Sequence, residues 1–134
     1  GERPVVVTPQ GEQAYDEVVV AAHADEALAM IDAPTPEEEK LLGAFAYQEN
    51  TAYLHADTSI MPKRKACWAS WNYHAEAERD VSVTYWMNLL QNIDTAYPLF
   101  VTLNPCREID PHKTFNVHRF THPIFTNEAV LAQQ

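Results

Sequence analysis

The sequence predicts an α+β fold, an antiparallel β-sheet with flanking helices, and three observations carry that reading. Short runs rich in β-branched and aromatic residues recur, above all at 66–73, 81–87 and 99–103, each bounded by charged or turn-like residues. Helical spacing and helix-start signals occupy 24–31 and 36–43. All three tryptophans fall within 66–105, which marks that stretch as a sheet with one packed face.

At 134 residues the chain has the length of one domain. A compact chain of that size buries roughly 65–70 % of its unfolded surface, enough for a core of its own. The hydrophobic share of 46 % argues against disorder. Nine Lys plus Arg against nineteen Asp plus Glu leave a net charge of −10, so no nucleic acid partner is expected, because phosphate binding needs a basic face. The basic cluster Lys63-Arg64-Lys65, beside Pro62, reads as a solvated loop. No run approaches the ~20 apolar residues of a membrane span and no signal peptide opens the chain, so a cytoplasmic location is expected. The opening Gly1-Glu2-Arg3-Pro4-Val5, without an initiator Met, begins as an excised segment would. Cys67 and Cys106 fit no CxxC pattern and read as two buried thiols in a reducing compartment.

In chain order, Val5–Val7 and Val18–Val20 flank Pro9-Gln10-Gly11-Glu12 and read as a hairpin. The second run continues through Ala21-Ala22-His23 into a helix at 24–31, acidic in its first turn, with Ala24, Ala27, Leu28 and Ile31 at helical spacing. Pro34-Thr35-Pro36 breaks the chain. Thr35 is the expected N-cap of a helix over 36–43, with Pro36 at its first position, Glu38 completing a capping box, and Leu41 and Leu42 on the buried side. Residues 44–56 read as a long strand with Phe45, Tyr47, Thr51, Tyr53 and His55 on one face. The runs at 66–73 and 81–87 follow, joined by a polar connection at 75–80. A helical turn is expected near 86–90, then the run at 99–103, a strand at 115–120, a turn at 121–125 and a short helix from Asn127.

Catalytic signatures are scarce. With only Gly1, Gly11 and Gly43, the chain holds neither a dinucleotide-binding GxGxxG nor a P-loop. His118 and His122 stand four apart, but Phe120 and Pro123 oppose a helix and no HExxH carboxylate follows, so both read as structural or surface residues and no metal site is expected. His23 stands where a strand gives way to a helix, a place where α/β proteins hold ligands; the plainer reading is local backbone satisfaction. Trp68, Trp71, Tyr73, Tyr85 and Trp86 are candidates for a flat apolar cavity or for ordinary core packing. Alternation puts Trp71 and Tyr73 opposite Trp68, and Tyr85 opposite Trp86, so about half the set can share one pocket.

Several segments together resemble the flavin-containing amine oxidase superfamily. Tyr15-Asp16-Glu17-Val18-Val19-Val20-Ala21-Ala22-His23 is similar to the family's strand leaving the FAD domain, and Pro34-Thr35-Pro36-Glu37-Glu38-Glu39-Lys40-Leu41-Leu42 to a following helix. Leu54-His55-x-Asp57, Met61-Pro62, Trp68-Ala69-Ser70-Trp71-Asn72-Tyr73, Val83-Thr84-Tyr85-Trp86-Met87-Asn88, Val101-Thr102-Leu103-Asn104-Pro105 and His122-Pro123-Ile124-Phe125 resemble a bacterial branch of predicted NAD/FAD-binding proteins. The family's N-terminal GxGxxG and C-terminal glycine-rich segment are absent from this chain. The resemblance therefore implies an interior piece of a longer flavoenzyme, part of its substrate-side domain, with 1–23 on the FAD-domain side and 24–134 on the substrate side.

In that parent the resemblance implies hydride transfer from substrate to flavin, with FAD bound by the whole protein and none expected on this fragment. Ala21, Ala22 and His23 are the residues it places nearest the flavin, while Trp71, Tyr73 and Tyr85 are the expected lining of the substrate cavity. Because the superfamily includes carotenoid desaturases, a lipid-like small molecule is the expected substrate. The rival expectation is a non-catalytic module that binds a ligand or a protein through an aromatic sheet face. An apolar face left open would also drive self-association.

Overall fold

The computed structural model describes residues 3–75 and 81–134; the polar connection expected at 75–80 lies outside them from residue 76 onward. The fold is α+β, and the chain forms two compact units. One comprises the residues up to Ala46 together with Pro123–Gln134, and the other is Tyr47–His122.

In the first unit, β1 (Val5–Thr8) pairs antiparallel with β2 (Gly11–Ala14), from Val5 opposite Ala14 to Thr8 opposite Gly11. The valine triplet is a strand, but its partner is not the expected Val18–Val20. Gly11, at φ +128°, supplies a backbone conformation that closes the chain after only Pro9 and Gln10, so the next four residues complete the ladder. Val18–Val20 form no strand, and Val19 is 90 % exposed. The strand expected to run into His23 is therefore absent.

The helices follow their sequence signals more closely. α1 (Ala24–Met30) opens with Asp25 and Glu26, which complement the positive end of the helix, and buries Ala27. α2 (Pro36–Leu42) starts with the full capping box: the Thr35 hydroxyl accepts from the Glu38 N–H at 3.2 Å, and the Glu38 carboxylate accepts from the Thr35 N–H at 2.7 Å. The Thr35 backbone N–H first, and its hydroxyl second, which also donates to that carboxylate at 2.8 Å, hold the Glu38 carboxyl below its ordinary range. Leu41 and Leu42, expected on a buried side, are exposed and half-buried respectively, because α2 packs chiefly on the short α1.

The second unit is built on a five-stranded antiparallel sheet of β3 (Tyr47–His55), β4 (Trp71–Ala75), β5 (Val81–Trp86), β6 (Phe100–Leu103) and β7 (Thr114–Pro123), in the order β4-β5-β6-β3-β7. β7 extends through the first three residues of the turn expected at 121–125. Registers place Asn72, Thr84 and Thr102 in one row and Trp86 opposite Phe100 opposite His55 in the next. That inner face is covered by the 3₁₀ turns Thr58–Ile60 and Lys65–Cys67 and the chain between them: Trp68 packs edge-on against Trp86 and Phe100 at 5.3 and 5.7 Å, while Ile60 and Met61 are buried. Cys67 is exposed rather than buried and Cys106 half-buried; both are free thiols.

Asn88, buried in the short helix α3 (Met87–Leu90), holds the connection from β5 to β6. Its amide nitrogen donates to the carbonyls of Ile93, Asp94 and Tyr97, and its oxygen accepts from the Leu99 N–H and the Trp86 indole. An aspartate there would aim a buried carboxylate at three carbonyl oxygens. Asn88→Asp is expected to lower the unfolding free energy by about 3 kcal/mol or more in a urea melt; a change within experimental error would contradict this role.

Candidate functional site

The outer face of the sheet is built by the alternate residues of the same strands. Leu54, Val101, Tyr85 and Trp71 form one row across it, and Ala52, Leu103, Val83 and Tyr73 the next. All eight are apolar or aromatic and none is charged. Ala52 is buried, the aliphatic side chains and Tyr85 are half-buried, and Trp71 and Tyr73 are 55 % and 67 % exposed. Trp71 meets Tyr85 edge-to-face with ring centroids 5.0 Å apart. Such a face offers dispersion and stacking, with phenol hydroxyls and an indole N–H as polar handles.

Trp71, Tyr73 and Tyr85, singled out from the sequence, are thus brought together on one open face. Trp86 falls on the inner face, as strand alternation requires, and Trp68, which precedes β4, packs against it there; their indoles bond to the Asn88 side chain and the Pro62 carbonyl respectively. Ala21, Ala22 and His23 belong to the other unit. Ala21 and Ala22 are exposed, and His23 caps α1 without a side-chain cap bond. These residues do not make a dinucleotide cradle: Gly11 closes a β-hairpin and Gly43 ends a helix, so neither stands at a strand-to-helix turn. Among the described residues no three His, Cys, Asp or Glu side chains gather as a metal site would need.

The inner face carries a polar cluster whose members pair with one another, although Nε2 of His74, opposite Ser82 on the same face, is buried without a partner among the described residues. The Asp57 N–H donates to Nδ1 of the fully buried His55 at 3.1 Å, so His55 carries its proton on Nε2 and donates to the Thr102 hydroxyl at 2.7 Å. The Thr102 hydroxyl in turn shares a hydrogen bond with the Thr84 hydroxyl at 2.9 Å. Burial pushes the His55 imidazole down to about 4 against the opposing pull of Asp57. Burial pushes Asp57 up, but the N–H groups of Asp110 and Ser59, the Ser59 side chain and the Lys113 ammonium outweigh it and leave about 2. Beside this cluster, Tyr53, Cys106, Glu108, Ile109, Thr114 and Val117 line an open cavity of about 550 Å³.

One constellation was not nominated as a site from the sequence, although Asn104 and His122 stand in segments that carry the family resemblance. The Thr51 N–H donates to the Asn104 side-chain oxygen, Asn104 donates to the Asn50 oxygen at 2.6 Å, and Asn50 donates to Nδ1 of His122 at 2.9 Å. Asn50 is buried and shares the outer face with Ala52 and Leu54; its contact with His122 spans 72 residues of sequence.

No protein-family model matches the chain, and no curated protein matches it. No helix among the described residues is long and apolar enough to cross a membrane.

A folded pKa near 4 for His55 against an unfolded 6.5 makes stability depend on acid in a defined window. The buried ring favours its neutral form, so this contribution is complete above about pH 6.5 and is lost as pH falls towards 4. It amounts to on the order of 2–3 kcal/mol. Urea melts across that range should show the loss, and His55→Gln, which cannot titrate, should flatten it while lowering stability at pH 7. An unchanged slope in the variant would contradict the assignment.

Proposed function

We propose that this chain is the substrate-side portion of an FAD-dependent oxidoreductase of the amine oxidase and desaturase type, its flavin held by segments outside it. The supporting observation is the uncharged outer face on which Trp71, Tyr73 and Tyr85 converge, the surface expected of a wall that holds an apolar substrate and excludes water. The motifs of 15–23 through 122–125 that resemble the flavin-containing amine oxidases supply the reaction class. The substrate is an apolar, lipid-like small molecule, and the role of this chain is to bind and orient it. Ala21, Ala22 and His23 are the residues proposed to approach the flavin, and a reducing cytoplasm is in keeping with the free thiols.

The same face also favours a second reading, a non-catalytic module that binds a ligand or a partner protein, or a second copy of itself, through its aromatic sheet. Flavin separates the two. The complete parent polypeptide should purify with stoichiometric FAD that substrate bleaches, whereas this chain alone should bind no FAD tightly. Trp71→Ala in the parent should lower turnover at least tenfold while shifting thermal stability little, because Trp71 is more than half exposed. A colourless parent leaves only the binding module, and equal losses of folding and turnover return Trp71 to a structural role.

A further inference from the structure

His122 is the product of an orientation relay that begins at a backbone group. A backbone N–H can only donate, so the Thr51 amide fixes the Asn104 side-chain oxygen toward itself. Asn104 must then present its nitrogen to Asn50, and Asn50 its own nitrogen to His122. Nδ1 of His122 is therefore an acceptor, and the neutral ring carries its hydrogen on Nε2. That second nitrogen has no partner among the described residues, and His122 is exposed. The arrangement holds one hydrogen-bond donor at the β7 end of the outer face. Between β7 and Tyr73 on β4 lie Ala52, Leu103 and Val83, none of which can bond a polar group through its side chain.

We infer that His122 anchors an oxygen acceptor, a carbonyl or carboxylate, at one end of an extended ligand whose apolar body crosses the outer face toward Tyr73 and Trp71. The inference rests on the reading of that face as the substrate wall and adds its polar end. Four interstrand spacings of roughly 4.8 Å separate β7 from β4, so the body such a ligand lays down is about 19 Å long. The absence of charge along the two rows disfavours a second polar group within it. Asn50 and Asn104 are positioning residues: they set the His122 tautomer and touch no ligand themselves.

The test is binding of three matched probes, hexadecanoate, methyl hexadecanoate and hexadecane, delivered from cyclodextrin and read by tryptophan fluorescence of the full chain. The two oxygenated probes should bind at least tenfold more tightly than the hydrocarbon. His122→Ala should erase that preference while leaving hexadecane binding unchanged, and His122→Gln, which keeps a side-chain N–H, should restore most of it. A preference for hexadecanoate over the ester assigns a carboxylate end, and equal binding of the two assigns a carbonyl end. If His122→Ala leaves the preference intact, or weakens all three probes equally, the anchor is wrong. In that case loss of all binding in Trp71→Ala would still uphold the wall. If no probe binds, the wall and the anchor fail together.

Discussion

A buried histidine that accepts a backbone N–H on one nitrogen and donates to a threonine on the other is the constraint on which the sheet depends. Thr84 and Thr102 lie opposite one another on β5 and β6, His55 on β3 stands diagonally beside Thr102, and their hydrogen bonds cross from strand to strand. Leaving any one unpaired in a site closed to water would cost roughly 1–3 kcal/mol, so the network specifies register as well as stability. Phe100 and Trp68 then pack over its rim, and Asp57, held by Ser59, Asp110 and Lys113, closes it.

That choice of interior decides what the other face becomes. A strand has two faces, and where polar side chains occupy the covered one, the apolar residues alternate onto the open one. Here Trp71, Tyr73, Tyr85, Val83 and Leu103 stand on the open side while Ser82, Thr84 and Thr102 are enclosed. The enclosed His55, Thr102 and Thr84 satisfy one another among the apolar Phe100, Ile60 and Met61, and the other face leaves Trp71, Tyr73 and Tyr85 available to bind something.

The sequence showed much of this locally and little of it at long range. Capping of α2 was legible because every participant lies within four residues, and the aromatic set divided between faces as strand parity demands. The hairpin partner was misread because valine triplets advertise strands more loudly than Gly11-Glu12-Gln13-Ala14, yet Gly11 closed the turn first. Leucines at 41 and 42 read as buried because their spacing is helical, but a seven-residue helix packed on another of the same length has little to bury them under. His55 gave no sign of its importance, and His122 was set aside for lacking a helix. Both owe their roles to partners 47 and 72 residues away, which no local pattern encodes.

The division of the sheet into a closed face and an open aromatic one can be read directly from the hydrogen exchange of the three indole N–H groups. Trp68 and Trp86 donate to the Pro62 carbonyl and the Asn88 side chain on the inner side, whereas Trp71 stands open on the outer side. Transfer of the uniformly ¹⁵N-labelled chain into heavy water should erase the Trp71 indole signal at once and leave the other two to decay slowly. A protected Trp71 beside rapidly exchanging Trp68 and Trp86 would contradict the assignment of the two faces.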